Sequence, residues 1–247
     1  MTPTLKPERP SGSPGATRRE PLAGLPDWHT VLVVVAHPDD ESFGLGAIID
    51  AFVRRGSQVD VLCFTQGEAS TLGASASLAT IRADELQKAA SALGARSTSL
   101  MRHPDGALRA VDTAQLDEEV AGAARDAGAD GLLVFDDSGV TGHPDHIAAT
   151  ASAVRVGAAL NVGVLAWTLS GSVAAQLRIE TGVPFHGEPE DAVDISVVVD
   201  RTRQRVAIAC HPSQAVPGSV LWRRLELQGD VELLRWLNHP STPEEGA

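Results

Sequence analysis

Six consecutive apolar residues, Val31-Leu-Val-Val-Val-Ala36, run straight into His37-Pro38-Asp39-Asp40-Glu41, and this junction constrains the fold more than any other stretch of the chain. A mostly β-branched run without alternation predicts a strand buried on both faces, the pattern of a parallel sheet covered by helices on either side. In open α/β sheets ligands bind beyond the carboxyl ends of the strands, so the histidine and acids fall where chemistry is usually done. The pattern recurs. Gly131-Leu-Leu-Val-Phe135 is another apolar run, followed by the polar loop from Asp136 to Gly142 and then by His143-Pro144-Asp145-His146.

The remaining segments fit around these strands. Periodicity predicts strands over Thr30 to Ala36, Val59 to Phe64, Ser99 to Arg102, Gly131 to Phe135, Val162 to Leu169 and Asp194 to Val199. Helices are predicted over Leu45 to Arg55, Ile81 to Leu93, the stripe Leu116, Val120 and Ala124, Ile147 to Leu160, Arg201 to Cys210 and Val220 to Leu237, with a short helix or irregular segment from Ser172 to Thr181. The expected fold class is therefore α/β, a Rossmann-like three-layer sandwich with a mostly parallel central sheet. Six prolines in the first 26 residues mark 1–27 as a disordered arm, 28–238 as a single catalytic domain and 239–247 as a flexible tail. The Ser, Ala and Gly-rich stretch 69–80 reads as a loop beside the site that orders on ligand binding.

Composition narrows the function. A net charge of -12 without a basic block argues against nucleic acid and for a small-molecule partner. Cys63 and Cys210 sit in apolar contexts without metal or redox spacing and read as buried thiols in a reducing compartment. No apolar run is long enough to span a membrane and no signal-peptide core follows the early basic residues, so a cytoplasmic protein is expected.

Metal ligation accounts for most of the polar residues at once. His37 and Asp40, three apart on a turn opening a helix, can point to one spot, and His146 can meet them from the second cluster. Three protein ligands leave a tetrahedral ion one position for water, as in a catalytic site. Asp39, directed elsewhere by the turn, is free to take a proton from that water, and His143 is one turn before His146, placed to bond a developing oxyanion or protonate a leaving amine. In that role His143 is expected to be partly protonated, with Asp145 raising its pKa. The metal is expected to be Zn2+, with Fe2+ equally suited to His and carboxylate ligands. The blander reading makes Asp39 or Asp40 a helix cap, Glu41 a capping or exposed acid, Arg82 and Glu85 a surface pair and His103 a loop residue. His211 is assigned either to packing or, with Gln214, to the site. The paired His-x-x-His at a second strand end weighs against a mere cap for the set.

Ala36-His37-Pro38-Asp39-Asp40-Glu41 together with His143-Pro144-Asp145-His146 resembles the LmbE or PIG-L family of zinc-dependent N-acetylglucosaminyl deacetylases. The similarity extends through Gln66-Gly67-Glu68, Arg82-Ala-Asp-Glu85 and His211-Pro-Ser213-Gln214, roughly Thr30 to Gln214. It implies zinc on His37, Asp40 and His146, Asp39 as general base and His143 as the residue that stabilises or protonates the tetrahedral intermediate. It also implies sugar contacts from Arg82 and Asp105; Glu68 and Gln214 are further candidates to touch substrate, and Glu41 is a candidate to orient His37 from behind. The implied reaction is removal of acetyl from the 2-amino group of an N-acetylglucosamine conjugate. The chain contains no tyrosine, so the active-site Tyr of the mycothiol-pathway deacetylase is missing, which argues away from that substrate. An amidase acting on a thiol conjugate, or a metal- or carbohydrate-binding pseudoenzyme of the same fold, are the competing readings. A dinucleotide site fails because the third glycine after Gly44-Leu45-Gly46 would fall at Ile49. Trp222 and Trp236, expected on one C-terminal helix, suggest a homo-oligomer interface.

Overall fold

The computed structural model describes residues 24–73 and 75–240; most of the expected arm and tail lie outside these. Among the described residues, seven strands form one sheet. They are β1 (Thr30–Val35), β2 (Gln58–Thr65), β3 (Ser97–His103), β4 (Gly131–Phe135), β5 (Gly163–Thr168), β6 (Ile195–Val198) and β7 (Val231–Asn238), in the order β3-β2-β1-β4-β5-β7-β6. The first five are parallel, and β7 runs antiparallel to both of its neighbours. The helices are α1 (Asp40–Phe43), α2 (Gly46–Arg54), α3 (Leu78–Leu93), α4 (Thr113–Ala127), α5 (Gly139–Gly142), α6 (Pro144–Leu160), α7 (Gly171–Thr181), α8 (Thr202–Ala209) and α9 (Val220–Gln228).

The unbroken apolar run of β1 is explained by two cores. Val31, Val33 and Val35 face one with Ile48, Ile49 and Phe52 of α2 and Leu86 and Leu93 of α3. Leu32, Val34 and Ala36 face the other with Leu116 and Val120 of α4 and Ala149 and Ala153 of α6. Burying each such Val or Leu side chain contributes about 1.5–3 kcal/mol, so both faces of the strand must be apolar. The chain leaves β1 for β2 and β3 on one side and crosses to β4 and β5 on the other. The carboxyl ends of β1 and β4 thus flank the topological switch point, where a crevice opens in such sheets.

Three expectations are corrected. The predicted helix from Val220 to Leu237 stops at Gln228 and the chain returns as β7. Gly229, at φ 61° and ψ -141°, supplies a turn that L-residues avoid, and beyond it Glu232 and Leu234 alternate inward as in a strand. Trp236 therefore lies in the sheet, its ring edge-on to Trp28 at 5.7 Å, and Trp222 donates its indole N–H to the Val216 carbonyl at 3.2 Å. Both tryptophans of the expected interface are engaged within the chain. Finally, the assigned arm 1–27 ends too late, because Leu25 is buried in the first core and its carbonyl accepts from Arg55 at 2.8 Å. Among the described residues, no helix is long and apolar enough to cross a membrane.

Candidate metal centre

The loop after β1 is wound by its own side chains. Asp40 Oδ2 accepts the backbone N–H of His37 at 2.9 Å and of Ala36 at 3.2 Å, which folds the carboxylate back toward the strand end. Asp39 is forced to φ 129°, a conformation that costs a non-glycine residue on the order of 1–3 kcal/mol. That turn is held by Glu41, whose Oε2 accepts the Asp39 N–H at 2.9 Å. After β4, positive φ at Gly139, Val140 and Gly142 coils the chain into α6, which His143 caps through a 3.3 Å bond from the Asp145 N–H to its Nδ1. Pro144 occupies the first helical turn, where its missing N–H is harmless. His146 follows one turn later, its Nδ1 3.2 Å from the Gly139 carbonyl and its Nε2 aimed back at β1.

Three donor side chains meet at the crevice. His37 Nδ1 and His146 Nε2 are 3.2 Å apart, His146 Nε2 and Asp40 Oδ1 3.2 Å, and His37 Nδ1 and Asp40 Oδ2 3.5 Å. A tetrahedral ion with N and O ligands at about 2.0–2.1 Å spaces its ligand atoms about 3.3 Å apart, so this donor set fits one divalent ion. His143 joins His37 and His146 in a group able to hold an ion, its ring 4.8 Å from each of theirs. On the far side of the His37 ring, Nε2 faces Asp105 Oδ1 at 3.1 Å and Asp145 Oδ2 at 3.4 Å. With an ion at Nδ1 the ring's one N–H would lie on Nε2 toward these acids, the usual way acids orient a ligating histidine.

The charges are strongly perturbed. Burial opposes protonation of His37, but its bonds to Asp105, Asp145 and Asp40 push its pKa up to about 12. Burial also acts against the Asp40 carboxylate, yet His146 and His37 hold it below the usual range. Asp39 goes the other way: burial lifts it to about 7, against the pull of Arg82. Burial, then the neighbouring His146 and His37, lower the pKa of His143. Asp145 does raise the His143 pKa, as expected, but the other contributions outweigh it and the net shift is downward. Asp145 spends its oxygens on the Gly106 N–H at 2.7 Å, the Leu108 N–H at 3.0 Å and His37.

Residues expected to touch substrate prove to brace the site. Arg82 is buried, donates to the Gly67 and Pro38 carbonyls and lies 3.1 Å from Asp39 Oδ2. It is neither a surface partner of Glu85 nor open to a ligand. Asp105 orients His37 and accepts the Ala69 N–H at 2.9 Å, while exposed Glu68 accepts the Asp105 N–H at 2.9 Å. Gln214 ties down the following loop through Ser70 and Leu72. Glu41 makes no bond to His37; fully buried, it pairs with fully buried His211 at 2.7 Å and steadies Asp39. Glu85, read as a surface acid, accepts from both the N–H and the hydroxyl of Ser213. His103 pairs with Glu119 at 2.7 Å, away from the centre. The sequence reading missed Phe43, Phe135 and Trp167 beside the metal centre, because segments remote from one another in the chain supply them.

Comparison with known proteins agrees with this geometry. The family model described as PIG-L, GlcNAc-PI de-N-acetylase, matches residues 32–156, which hold both histidine motifs. The chain is 32% identical over 133 residues to a probable N-acetylglucosaminyl-phosphatidylinositol de-N-acetylase of Schizosaccharomyces pombe, a match covering 51% of each. It is 25% identical over 289 residues to a 1D-myo-inositol 2-acetamido-2-deoxy-alpha-D-glucopyranoside deacetylase of Kineococcus radiotolerans, covering 91% of this chain and 78% of that protein. For several such relatives the chain spans about half their length. The fold is shared with A40926 pseudoaglycone deacetylase Dbv21 (TM-score 0.65, 18% identity, 87% of this chain and 99% of that one). It is shared equally with the 4-carboxy-2-hydroxymuconate hydratase GalB of Pseudomonas putida (TM-score 0.64, 18% identity, 88% and 99%), so architecture alone does not select the reaction.

Proposed function

The chain belongs to the PIG-L (LmbE) family, and from that premise we propose that it is a zinc-dependent hydrolase removing an acyl group from the amide nitrogen of an N-acetylglucosamine-type conjugate. The observation that carries this reading is the set of three donor side chains, His37, Asp40 and His146, close enough to share one ion, with the strained, part-exposed Asp39 carboxylate beside them. His37, Asp40 and His146 would hold the ion. When bound it would polarise the amide carbonyl and acidify a water.

The protein's own groups divide the remaining work. Asp39, with a pKa near 7, is matched to taking a proton from water at neutral pH and returning it to the departing amine. Arg82 holds that carboxylate and the Pro38 carbonyl, and Glu41, paired with His211, holds the Asp39 backbone. His143 accepts the Asp145 N–H on Nδ1, so as a neutral ring it carries its proton on Nε2, suited to bonding the oxyanion of the tetrahedral intermediate. Water adds to the carbonyl carbon, the C–N bond breaks, and a carboxylic acid and a primary amine result.

A binding protein of the same fold would need neither a strained Asp39 nor the braces around it. The test is acetate release by zinc-loaded protein from a panel of free GlcNAc, GlcNAc-inositol, chitobiose and an N-acetylglucosaminyl glycopeptide. Turnover of at least one, lost on chelation and restored by zinc, is expected. No acetate from any member, with zinc bound one to one, would overturn the reading.

A further inference from the structure

The crevice has two unlike halves. On the β1 and β2 side lie exposed Glu68 and the part-exposed carboxylate of Asp39, polar groups able to meet the hydroxyls of a sugar. Over β4 and β5 lies a cavity of about 220 Å³ that shares Asp40 and His146 with the metal centre and is walled by Phe43, Phe135, Trp167, Phe185, Val220 and Leu221. The Phe135 ring stands 4.8 Å from the His146 ring and 5.5 Å from that of Trp167, so the apolar wall begins at the ligand itself.

The polar atoms around this cavity are already committed. Trp167 donates its indole N–H to Glu232 at 2.7 Å. Arg224 lies over the Trp167 ring with Cζ 5.1 Å from its centre, and gives its guanidinium N–H groups to Glu232 and the Phe43 carbonyl. Asp40 and His146 face the metal position. Thr141 supplies the only hydroxyl in the lining. A sugar placed here would lose its water without gaining partners for its hydroxyls. Hydrocarbon would lose nothing.

Size then selects the group. Beyond its carbonyl, an acetyl presents one carbon to this wall, whereas the apolar recess, open at its mouth, offers about 220 Å³. With the sugar on the polar side and the amide carbonyl at the metal, the acyl substituent enters the apolar side. We propose that the cavity is an acyl-chain subsite and that the preferred substrates carry a medium-length acyl group, about six to eight carbons, on the amino nitrogen. This rests on the hydrolase reading given above and specifies the acid that the reaction releases.

The experiment pairs two series on the zinc-loaded protein. One is the kcat/KM for N-acetyl, N-butanoyl, N-hexanoyl and N-octanoyl glucosamine, read as freed amine. The other is the dissociation constant of acetate, butanoate, hexanoate and octanoate, read by titration calorimetry and by Trp fluorescence. Burial of each methylene tightens binding about fourfold at most, so hexanoate or octanoate is expected to bind at least tenfold more tightly than acetate. The kcat/KM should peak at six to eight carbons. Val220→Trp, checked for folding by circular dichroism and for zinc content, should move that optimum to shorter chains. Acetyl turnover with a flat or falling series and no tightening of the carboxylates would overturn the acyl subsite and leave the hydrolase reading intact. An optimum unmoved in folded Val220→Trp would overturn the assignment to this cavity. If no amide is hydrolysed the hydrolase reading falls, and the carboxylate series decides the subsite alone: tightening supports it, a flat series overturns it.

Discussion

Asp39 is the residue at which fold and chemistry conflict most. It pays for its place with a φ of 129° and a part-buried carboxylate whose pKa stands near 7. Such strain persists only where neighbours over-determine the conformation, and Arg82 and Glu41 do so here. Asp39→Asn removes the base but keeps the shape, and kcat should fall by about 10²–10⁴-fold with zinc content unchanged, measured by metal analysis beside turnover. The base works deprotonated, so activity should rise with pH along an acid limb, which a bound dication beside Asp39 would hold below 7. Arg82 lowers the Asp39 pKa, and Arg82→Met should therefore move the acid limb of kcat/KM to higher pH. A limb that stays put, or moves down, would show that Asp39 is not the titrating group. Sequence spacing could place Arg82 near the site, but its burial against Pro38 and Asp39 depends on α3 packing beneath the β1 loop.

At the scale of elements, β7 is the piece that local pattern misassigns. Its residues suit a helix as well as a strand, and the outcome turns on Gly229 and on what the strand can bury. Glu232 of β7 is fully buried, 2.5 Å from Arg201 and 3.4 Å from Arg224, and it also accepts from Trp167. Through the Arg224 bond to the Phe43 carbonyl, this network links the far edge of the sheet to α1, where the acids of the centre begin. Glu232→Ala would leave two guanidinium groups buried without their carboxylate and should lower unfolding free energy by about 3–5 kcal/mol in urea titration. A loss under 1 kcal/mol would mean that the network relaxes onto water and does not brace α1. The strands β1 and β4, by contrast, were legible because an unbroken apolar run has no stable place except between two helical layers.

For the molecule as a whole, the candidate metal centre lies between β1 and β4, where the strand order reverses and the first and second histidine motifs are brought together. Chelation should abolish hydrolysis, and zinc at a hundred times its dissociation constant should raise stability by about 2.7 kcal/mol, seen as a shift in the thermal midpoint. A midpoint indifferent to zinc would count against a preformed site between β1 and β4. Sequence by itself determined the strand-end histidines and acids and the parallel core, because these follow from residue type and short spacing. Only tertiary structure decided that Arg82, Asp105 and Gln214 brace the site, that His211 pairs with Glu41, and that aromatic residues from α1, β4 and β5 close an apolar cavity beside the centre. The physical reason is range. Periodicity and spacing act over a few residues, whereas burial, pairing and pKa depend on which distant side chains the sheet order brings within a few ångströms.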